Sequence, residues 1–409
     1  MARGQRCIQA DRRDMRVLLV HNQYNQRGGE DAVADSEQEL LLRHGHQVRR
    51  LHRHNRDLAN MHPASAAVQA LYSLPTRKAA AQVLADFAPD VVHVHNTFPL
   101  ISPSVYWACA DAGVPVVQTL HNFRVACPQA MFLREGNVCE DCLGRAPWPA
   151  IRHGCYRGSR AETTVLSSML VLHRQLGTWT DKVSLYIALN EFCRRKFVQA
   201  GLPEHRLVVK PNFVDVPAPV LQARSGMLFV GRLSEEKGVA VLGQAQRQAG
   251  TEVALDVIGD GPMRGHLEDL SGVQLLGAMP QQEVLQRMSA ARALVLPSIC
   301  YESFPRTLVE AFACGLPVLA SRIGALAELV TDGITGLHFE AGNPADLASK
   351  MAWAHAHPEE MARMGLRARA EYEERYTPAQ NHALLIDIYL QAIERQPPGN
   401  RHVSAPARA

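Results

Sequence analysis

The 409-residue chain contains no apolar run approaching the roughly 18 to 20 residues that a membrane-spanning helix needs, which argues against a helical membrane protein. Residues 1–14 carry Arg3, Arg6, Arg12 and Arg13 but no apolar stretch, so no secretory signal is expected. Cysteine is sparse. Nine residues are too few for a disulfide scaffold, and a reducing, cytoplasmic setting is expected. Charge of one sign is also missing. Lys and Arg number 43 against 40 Asp and Glu, and a net charge of +3 gives no ground for a nucleic-acid partner. What is present is enough to build a core. Hydrophobic residues make up 47% and charged residues 20%, so bulk disorder is excluded, and the length fits two or three domains at roughly 150 residues each.

Short apolar runs alternate with helical stretches. Strands are expected at Arg16–Val20, Val91–His95, Pro115–Leu120 and Ser184–Leu189, each rich in Val, Ile or Leu as strands buried on both faces should be. Between them, helices run from Glu30 to His44 and from Ser102 to Ala112, stopping at Gly45 and Gly113. Residues 215–226 hold Pro217, Pro219, Ser225 and Gly226 and read as a linker. A second series follows at Met227–Val230, Ala254–Ile258, Val273–Leu276, Ala293–Leu296 and Pro317–Ala320. Alternation of this kind predicts an α/β protein of two Rossmann-like, doubly wound domains facing a cleft, at 15–214 and 227–377. The helix Pro378–Glu394 lies beyond the second sheet and is expected to return to the first domain. Residues 1–14 and 396–409 read as tails, and Met15 offers an alternative start.

The densest chemistry lies at strand ends in the second half. Pro297-Ser298-Ile299-Cys300-Tyr301-Glu302-Ser303-Phe304-Pro305-Arg306 joins a buried strand to a helix expected to begin around Pro305, with Ser303 or Phe304 as its cap. Amides at such a helix start suit a phosphate. Glu302 and Glu310 could accept hydrogen bonds from the hydroxyls of a ribose or hexose, because a carboxylate offers several acceptor positions. A bare helix cap with a surface glutamate would give the same local pattern. Arg232 and Lys237 follow the strand Met227–Val230, where two cations could neutralise a diphosphate leaving group. Ile258-Gly259-Asp260-Gly261-Pro262 follows the next strand; Gly259 would let backbone approach a ligand, although Gly-Asp-Gly-Pro is also an ordinary turn.

In the first half, Gly28-Gly29-Glu30 joins a strand to a helix, and the two glycines would place bare amides at the cleft, unless the loop is only a flexible helix start. His121 ends the strand Pro115–Leu120. His93, His95 and the weaker candidate Asn96 end the strand before it. Residues 123–160 break the alternation and carry Cys127, Cys139, Cys142 and Cys155, spaced C-x11-C-x2-C-x12-C. Thiolates at that spacing fit a structural zinc, although packing alone or an iron–sulfur cluster would also account for four cysteines. With Arg145, Arg152, Arg157, Arg160 and an apolar helix expected at Thr163–Leu176, the insert reads as a lid that shapes an acceptor site and touches an anionic lipid surface.

The order Gly231-Arg232…Lys237-Gly238, Gly259-Asp260-Gly261-Pro262, Glu302-x7-Glu310 and Ala313-Cys314-Gly315-Leu316-Pro317-Val318 resembles glycosyltransferase family four, with Glu328 and Gly336 matching an acid and a glycine of its terminal motif. The resemblance covers most of residues 15–395. It implies the GT-B fold and a retaining transfer from a UDP- or GDP-linked sugar to a glycan or lipid-linked acceptor, as in cell-envelope polysaccharide assembly. It assigns Glu310 to the donor ribose, Glu302 to the transferred sugar, and Arg232 and Lys237 to the diphosphate. The amides of Arg306, Thr307 and Leu308 would hold phosphate and sugar oxygens. The Gly28-Gly29 loop would lie near phosphates and acceptor, and His121 near the reacting carbon. Pro305 departs from the family, which usually has Gly there, so an amide is lost. The absence of an Asp-x-Asp motif fits catalysis without a metal cofactor. A peripheral location on the inner membrane face is expected for a lipid-linked acceptor. Two other readings stay open: a sugar-nucleotide epimerase on a similar fold, and a non-catalytic nucleotide-sugar or zinc-binding protein.

Overall fold

A computed structural model describes residues 14–25, 28–217 and 223–395. The expected tails, Asp14 apart, and residues 218–222 of the expected linker lie outside the described residues. Fourteen strands are labelled here in chain order: β1 (Arg16–Gln23), β2 (Gln47–His54), β3 (Val91–Asn96), β4 (Val116–Thr119), β5 (Leu133–Arg134), β6 (Asn137–Val138), β7 (Leu185–Ala188), β8 (Leu207–Val209), β9 (Met227–Val230), β10 (Leu255–Ile258), β11 (Val273–Gly277), β12 (Ala293–Leu296), β13 (Val318–Ser321) and β14 (Gly336–Phe339). One sheet runs β2-β1-β3-β4-β7-β8 and a second runs β11-β10-β9-β12-β13-β14, with every pairing parallel; β5 and β6 form a small hairpin inside the insert. Val17, Leu18, Leu19 and Val20 of β1 are all buried, as a strand with helices on both faces requires.

The strands that composition does not reveal all lie at sheet edges. β2 reads Gln-Val-Arg-Arg-Leu-His-Arg-His, and only Leu51 is buried, because an edge strand has one neighbour and a largely open face. β8 has three residues, and β14 has four with His338 interrupting its apolar run. In each sheet the strand order reverses at one point, between β1 and β3 and between β9 and β12. Loops leaving the carboxyl ends of strands at such a point diverge and open a crevice.

The helix Pro378–Glu394 returns to the first sheet, as its position in the sequence implied. Its Leu385, Ile388, Tyr389 and Ala392 share a core with Val17, Leu19, Val117, Leu185 and Ile187. The chain thus crosses between sheets twice, and the crossings are tied together: Tyr372 Oη donates to the Val214 carbonyl at 2.9 Å, and the Val214 amide donates to Tyr376 at 3.4 Å.

The turn after β9 is packed against the end of β12. Gly238 has φ +70°, and a Cβ there would lie 1.8 Å from the Pro297 carbonyl oxygen, so no other residue fits without moving one strand end from the other. Gly238→Ala should therefore lower stability by about 2 kcal/mol or more. Gly265→Ala, at a position with nothing within 4 Å of an added Cβ, should be near neutral. Urea unfolding of the two variants measures the difference, and equal stabilities would contradict the close approach.

Candidate functional site

At the switch point of the second sheet, the turn after β9 and the loop after β12 bring three polar side chains together. Lys237 Nζ lies 2.6 Å from Glu302 Oε1, and Ser298 Oγ donates to the same oxygen at 2.7 Å. Burial works against the Lys237 charge, but Glu302 outweighs it and the ammonium is held above its ordinary range. Arg232 does not join this pair. Its guanidinium is 59% exposed and donates to Glu236 Oε1 at 2.5 Å, where Ser234 Oγ also donates at 2.6 Å. Burial raises the Glu236 carboxyl, yet these two donors outweigh it and hold the group below the usual range. The two cations expected to act together thus each hold their own carboxylate.

The helix after β12 spans Arg306–Ala313 with Pro305 at its cap, not Ser303 or Phe304. Ser303 is taken up elsewhere, and Phe304 is buried in the second-sheet core. The Leu308 amide, expected to face a ligand, donates to the Pro305 carbonyl at 3.1 Å, and Leu308 is buried. Arg306 and Thr307 remain half-buried in the first turn. Glu310 is buried and accepts from Arg306 Nε at 2.8 Å and Gln281 Nε2 at 3.0 Å; burial outweighs both and raises its carboxyl. Gly259 also has a structural task. It has φ +133°, its amide donates to Gly277 at 2.8 Å, and an added Cβ would lie 1.9 Å from the Gly231 carbonyl, so the close approach is to the neighbouring strand end.

In the first domain, the Gly28 amide is not bare: it donates to Asp31 Oδ2 at 2.8 Å at the start of the helix Gly29–Arg43, while Gly29 stands open. Glu30, directly after the glycines, accepts from Tyr24 Oη at 3.1 Å and from Asn122 Nδ2 at 3.2 Å. Burial pushes its carboxyl up to about 8 against the pull of Tyr24 and Arg124. Glu30, His95, His121, Asn122 and Arg124 line one cavity.

His121 Nε2 lies 2.9 Å from His95 Nδ1, with the rings stacked at 16°. Beneath them is a buried network of charges. Lys210 Nζ donates to Glu37 Oε1 at 2.7 Å and to Asn381 Oδ1 at 3.3 Å, while Glu37 Oε2 faces His93 and His95 at 3.6 Å each. His93 also meets Tyr389 Oη and Thr119 Oγ1, both at 2.8 Å. Burial holds His121 and His95 well below the ordinary imidazole range, and the neighbouring rings and Lys210 add to it. Both rings are therefore neutral near pH 7, and His121 is suited to hydrogen bonding, not to carrying a charge. Glu37, His93 and His95 stand at metal-ligand spacing, but the Lys210 ammonium already supplies the cation that Glu37 needs. The sequence held a signal for this network that composition hides: Glu37 falls on the stripe of Val33, Ala34, Leu40 and Leu41, where an apolar residue is expected.

The two halves meet at these residues. Ser303 Oγ donates to the His121 carbonyl, and the Ser303 carbonyl accepts from Asn190 Nδ2 at 2.6 Å and from the Cys193 thiol at 3.3 Å. Glu328 accepts from the Glu191 amide at 2.8 Å and from Arg195 at 3.1 Å. Tyr301 packs edge-on to Phe192 at 4.8 Å and to Phe132 of the insert at 5.7 Å. Glu302 and His121, 181 positions apart in the sequence, are thereby carried on loops that touch.

Comparison with known proteins bears on the family and the fold. Residues 27–217 match the family model described as Glycosyltransferase Family 4, and residues 223–371 match the one described as Glycosyl transferases group 1. The chain is 32% identical over 332 residues to glycogen synthase of Mycobacterium tuberculosis, covering 76% of this chain and 71% of that protein. It is 39% identical over 130 residues to an uncharacterized glycosyltransferase of Methanocaldococcus jannaschii, covering 30% of this chain and 36% of that one. Matches to three of the curated relatives span only 36% to 52% of their lengths. Among solved structures, the Anabaena protein HepE, crystallised with UDP, superposes with a TM-score of 0.66 at 19% identity, covering 91% of this chain and 99% of that one. At that identity the likeness concerns the fold, which is GT-B.

Removing the Lys210 ammonium by Lys210→Met should cost about 3 to 5 kcal/mol, because Glu37 is left buried without its partner, and adding Glu37→Gln should recover much of the loss. Chemical denaturation of the single and double variants measures this; an additive double variant would contradict the pairing. The network should also titrate. His93 is pushed down to about 4, first by burial and further by Lys210, with Glu37 opposing. A depressed histidine leaves stability intact above the unfolded value of about 6.5 and erodes it as pH falls toward the folded value. The stability of wild type relative to His93→Gln should therefore fall by about 1.4 kcal/mol per pH unit below about pH 6.5. A pH-independent difference between the two would contradict a neutral buried ring.

Proposed function

The chain belongs to glycosyltransferase family 4, and from that premise we propose that it moves a hexosyl group from a nucleoside-diphosphate sugar to a hydroxyl of a glycan or lipid-linked glycan, with retention at the anomeric carbon. The observation that supports this reading is the contact of Ser303 with the His121 carbonyl, which joins the loop that carries Glu302 to the loop that carries His121.

In this reading the donor lies along the carboxyl ends of β9 and β12. Glu310 takes the ribose hydroxyls in place of, or together with, Gln281 and Arg306. Lys237 faces the diphosphate and Arg232 joins it by turning from Glu236; as the bond from the anomeric carbon to the phosphate oxygen breaks, the two cations stabilise the growing negative charge without a metal. The sugar lies between Glu302 and His121, and a neutral His121 supports it by hydrogen bonding. The acceptor oxygen approaches on the face the phosphate leaves, and the departing phosphate oxygen takes the acceptor proton. UDP is favoured over GDP by the nucleotide bound in the Anabaena relative of the same fold. A lipid-linked acceptor in envelope polysaccharide assembly, met from the cytoplasmic side, fits the insert, where Trp148 is 72% exposed among Arg145, Arg152 and Arg157. Among the described residues no helix is long and apolar enough to cross a membrane.

A panel of UDP- and GDP-sugars, read by release of free nucleoside diphosphate and by mass of the product, tests the transfer. Glu310→Gln should weaken nucleotide binding measured by calorimetry, since the ribose is held equally in ground and transition states. Glu302→Gln and Lys237→Ala should lower kcat by about two to three orders of magnitude, equivalent to about 3 to 4 kcal/mol. Unchanged turnover in both would remove these residues from the reaction, and donor binding without transfer or hydrolysis would favour a non-catalytic binder.

A further inference from the structure

We propose that Cys127, Cys139, Cys142 and Cys155 bind one structural zinc ion that fastens segment 123–160 at the rim of the cleft. This does not depend on the transferase reading.

The four sulfurs come from separate backbone pieces. Cys127 closes a turn whose amide donates to Phe123 at 2.8 Å, and the β5–β6 hairpin then separates it from Cys139. Cys142 lies in the following turn, and Cys155 comes just past the helix Trp148–His153, after Gly154 in the left-handed region. All four line a single small cavity of about 10 Å³, room for one ion, and none is in a disulfide. No carboxylate and no histidine lines it. Gln129 also lines it, but its Oε1 accepts from the Leu133 amide at 3.1 Å, and four sulfur donors suit zinc and do not suit calcium or magnesium. Arg134 also lines the cavity, pairs with Asp141 at 2.6 Å, and would face the net negative charge of four thiolates around a dication.

Phe123, Ala126 and Phe132 anchor one end of the segment in the first-domain core, but most of the chain between Leu133 and Arg160 is irregular. Among the described residues, seven non-glycine residues have positive φ, and four of them, Ala130, Phe132, Glu135 and Arg157, lie in this segment, each an unfavourable conformation. Its regular structure is a two-residue-per-strand hairpin and a six-residue helix. On binding a dication, each thiol gives up its proton to solvent as it takes a place on the metal. Among the described residues, the donors already within 4.8 Å of one another are Glu37, His93 and His95, so the sulfurs surround the cavity more widely than a bound ion would hold them. Zinc–sulfur bonds of about 2.3 Å would draw them inward.

The test uses the full chain, purified without chelator. Elemental analysis should find about one zinc per chain, and cobalt exchanged into the protein should show the intense visible bands of a tetrahedral thiolate site. Cys142→Ser should lose at least about nine-tenths of the metal, because a four-coordinate structural site needs every ligand. Cys109→Ala, whose cysteine is buried in the helix Ser104–Asp111 away from the cavity, should keep it. Limited proteolysis of Cys142→Ser should cut within 123–160 and spare both sheets. If Cys142→Ser fails to fold, chelator-treated wild type reconstituted with zinc provides the same comparison, with binding read by proton release. Wild type without metal and with four alkylatable thiols, with two disulfides, or with the visible absorption of an iron–sulfur cluster would overturn the proposal.

Discussion

Lys210 holds an ammonium group with no exposed surface, and much of the first domain is arranged around it. An ion taken so far from water is tolerable only with its partners fixed, and Glu37 and Asn381 are fixed by a helix from each end of the chain. The same carboxylate faces His93 and His95, and His95 meets His121. A charge at the domain crossing is thus linked, through Glu37 and His95, to the imidazole of His121, whose backbone carbonyl meets the second domain. Lys210 is the first residue past β8, where the chain leaves the first sheet, and Asn381 and Tyr389 lie on the helix that comes back.

How much of this was legible follows from what each element had to satisfy. Central strands such as Ala293–Leu296 are buried and apolar on both faces, so composition reveals them. Edge strands such as β2 need only one buried residue and look like loops. The second-domain motifs were legible because glycine at Gly238 and Gly259 and the acids at Glu302 and Glu310 stand at fixed intervals from strand ends. Their pairings were not. That Arg232 would engage Glu236, and Lys237 Glu302, depends on side-chain reach between loops that sequence spacing does not set. Glu37 and Lys210 were passed over because charged residues are ordinarily read as solvated.

The insert touches both domains. Phe132 and Phe192 bracket Tyr301 from the first-domain side, and Lys196 joins Glu140 of the insert at 2.6 Å while lying over the Tyr301 ring at 5.4 Å. Tyr301 directly precedes Glu302. The shape of a segment with little core of its own therefore bears on the position of an acid in the other domain, through aromatic contacts that tolerate sliding better than a hydrogen bond would.

The returning helix has a topological consequence. Because its Leu385, Ile388 and Tyr389 complete the core under the first sheet, the first domain is discontinuous, and the second is in effect an insertion between Val209 and Pro378. Cutting the connection after Pro217 would not free two domains. The fragments would remain clasped by that core and by the Tyr372–Val214 bond, and a first domain truncated there would lack one wall of its interior. With both connections side by side at Val214 and Tyr376, opening of the cleft would be a rotation about them and not a separation.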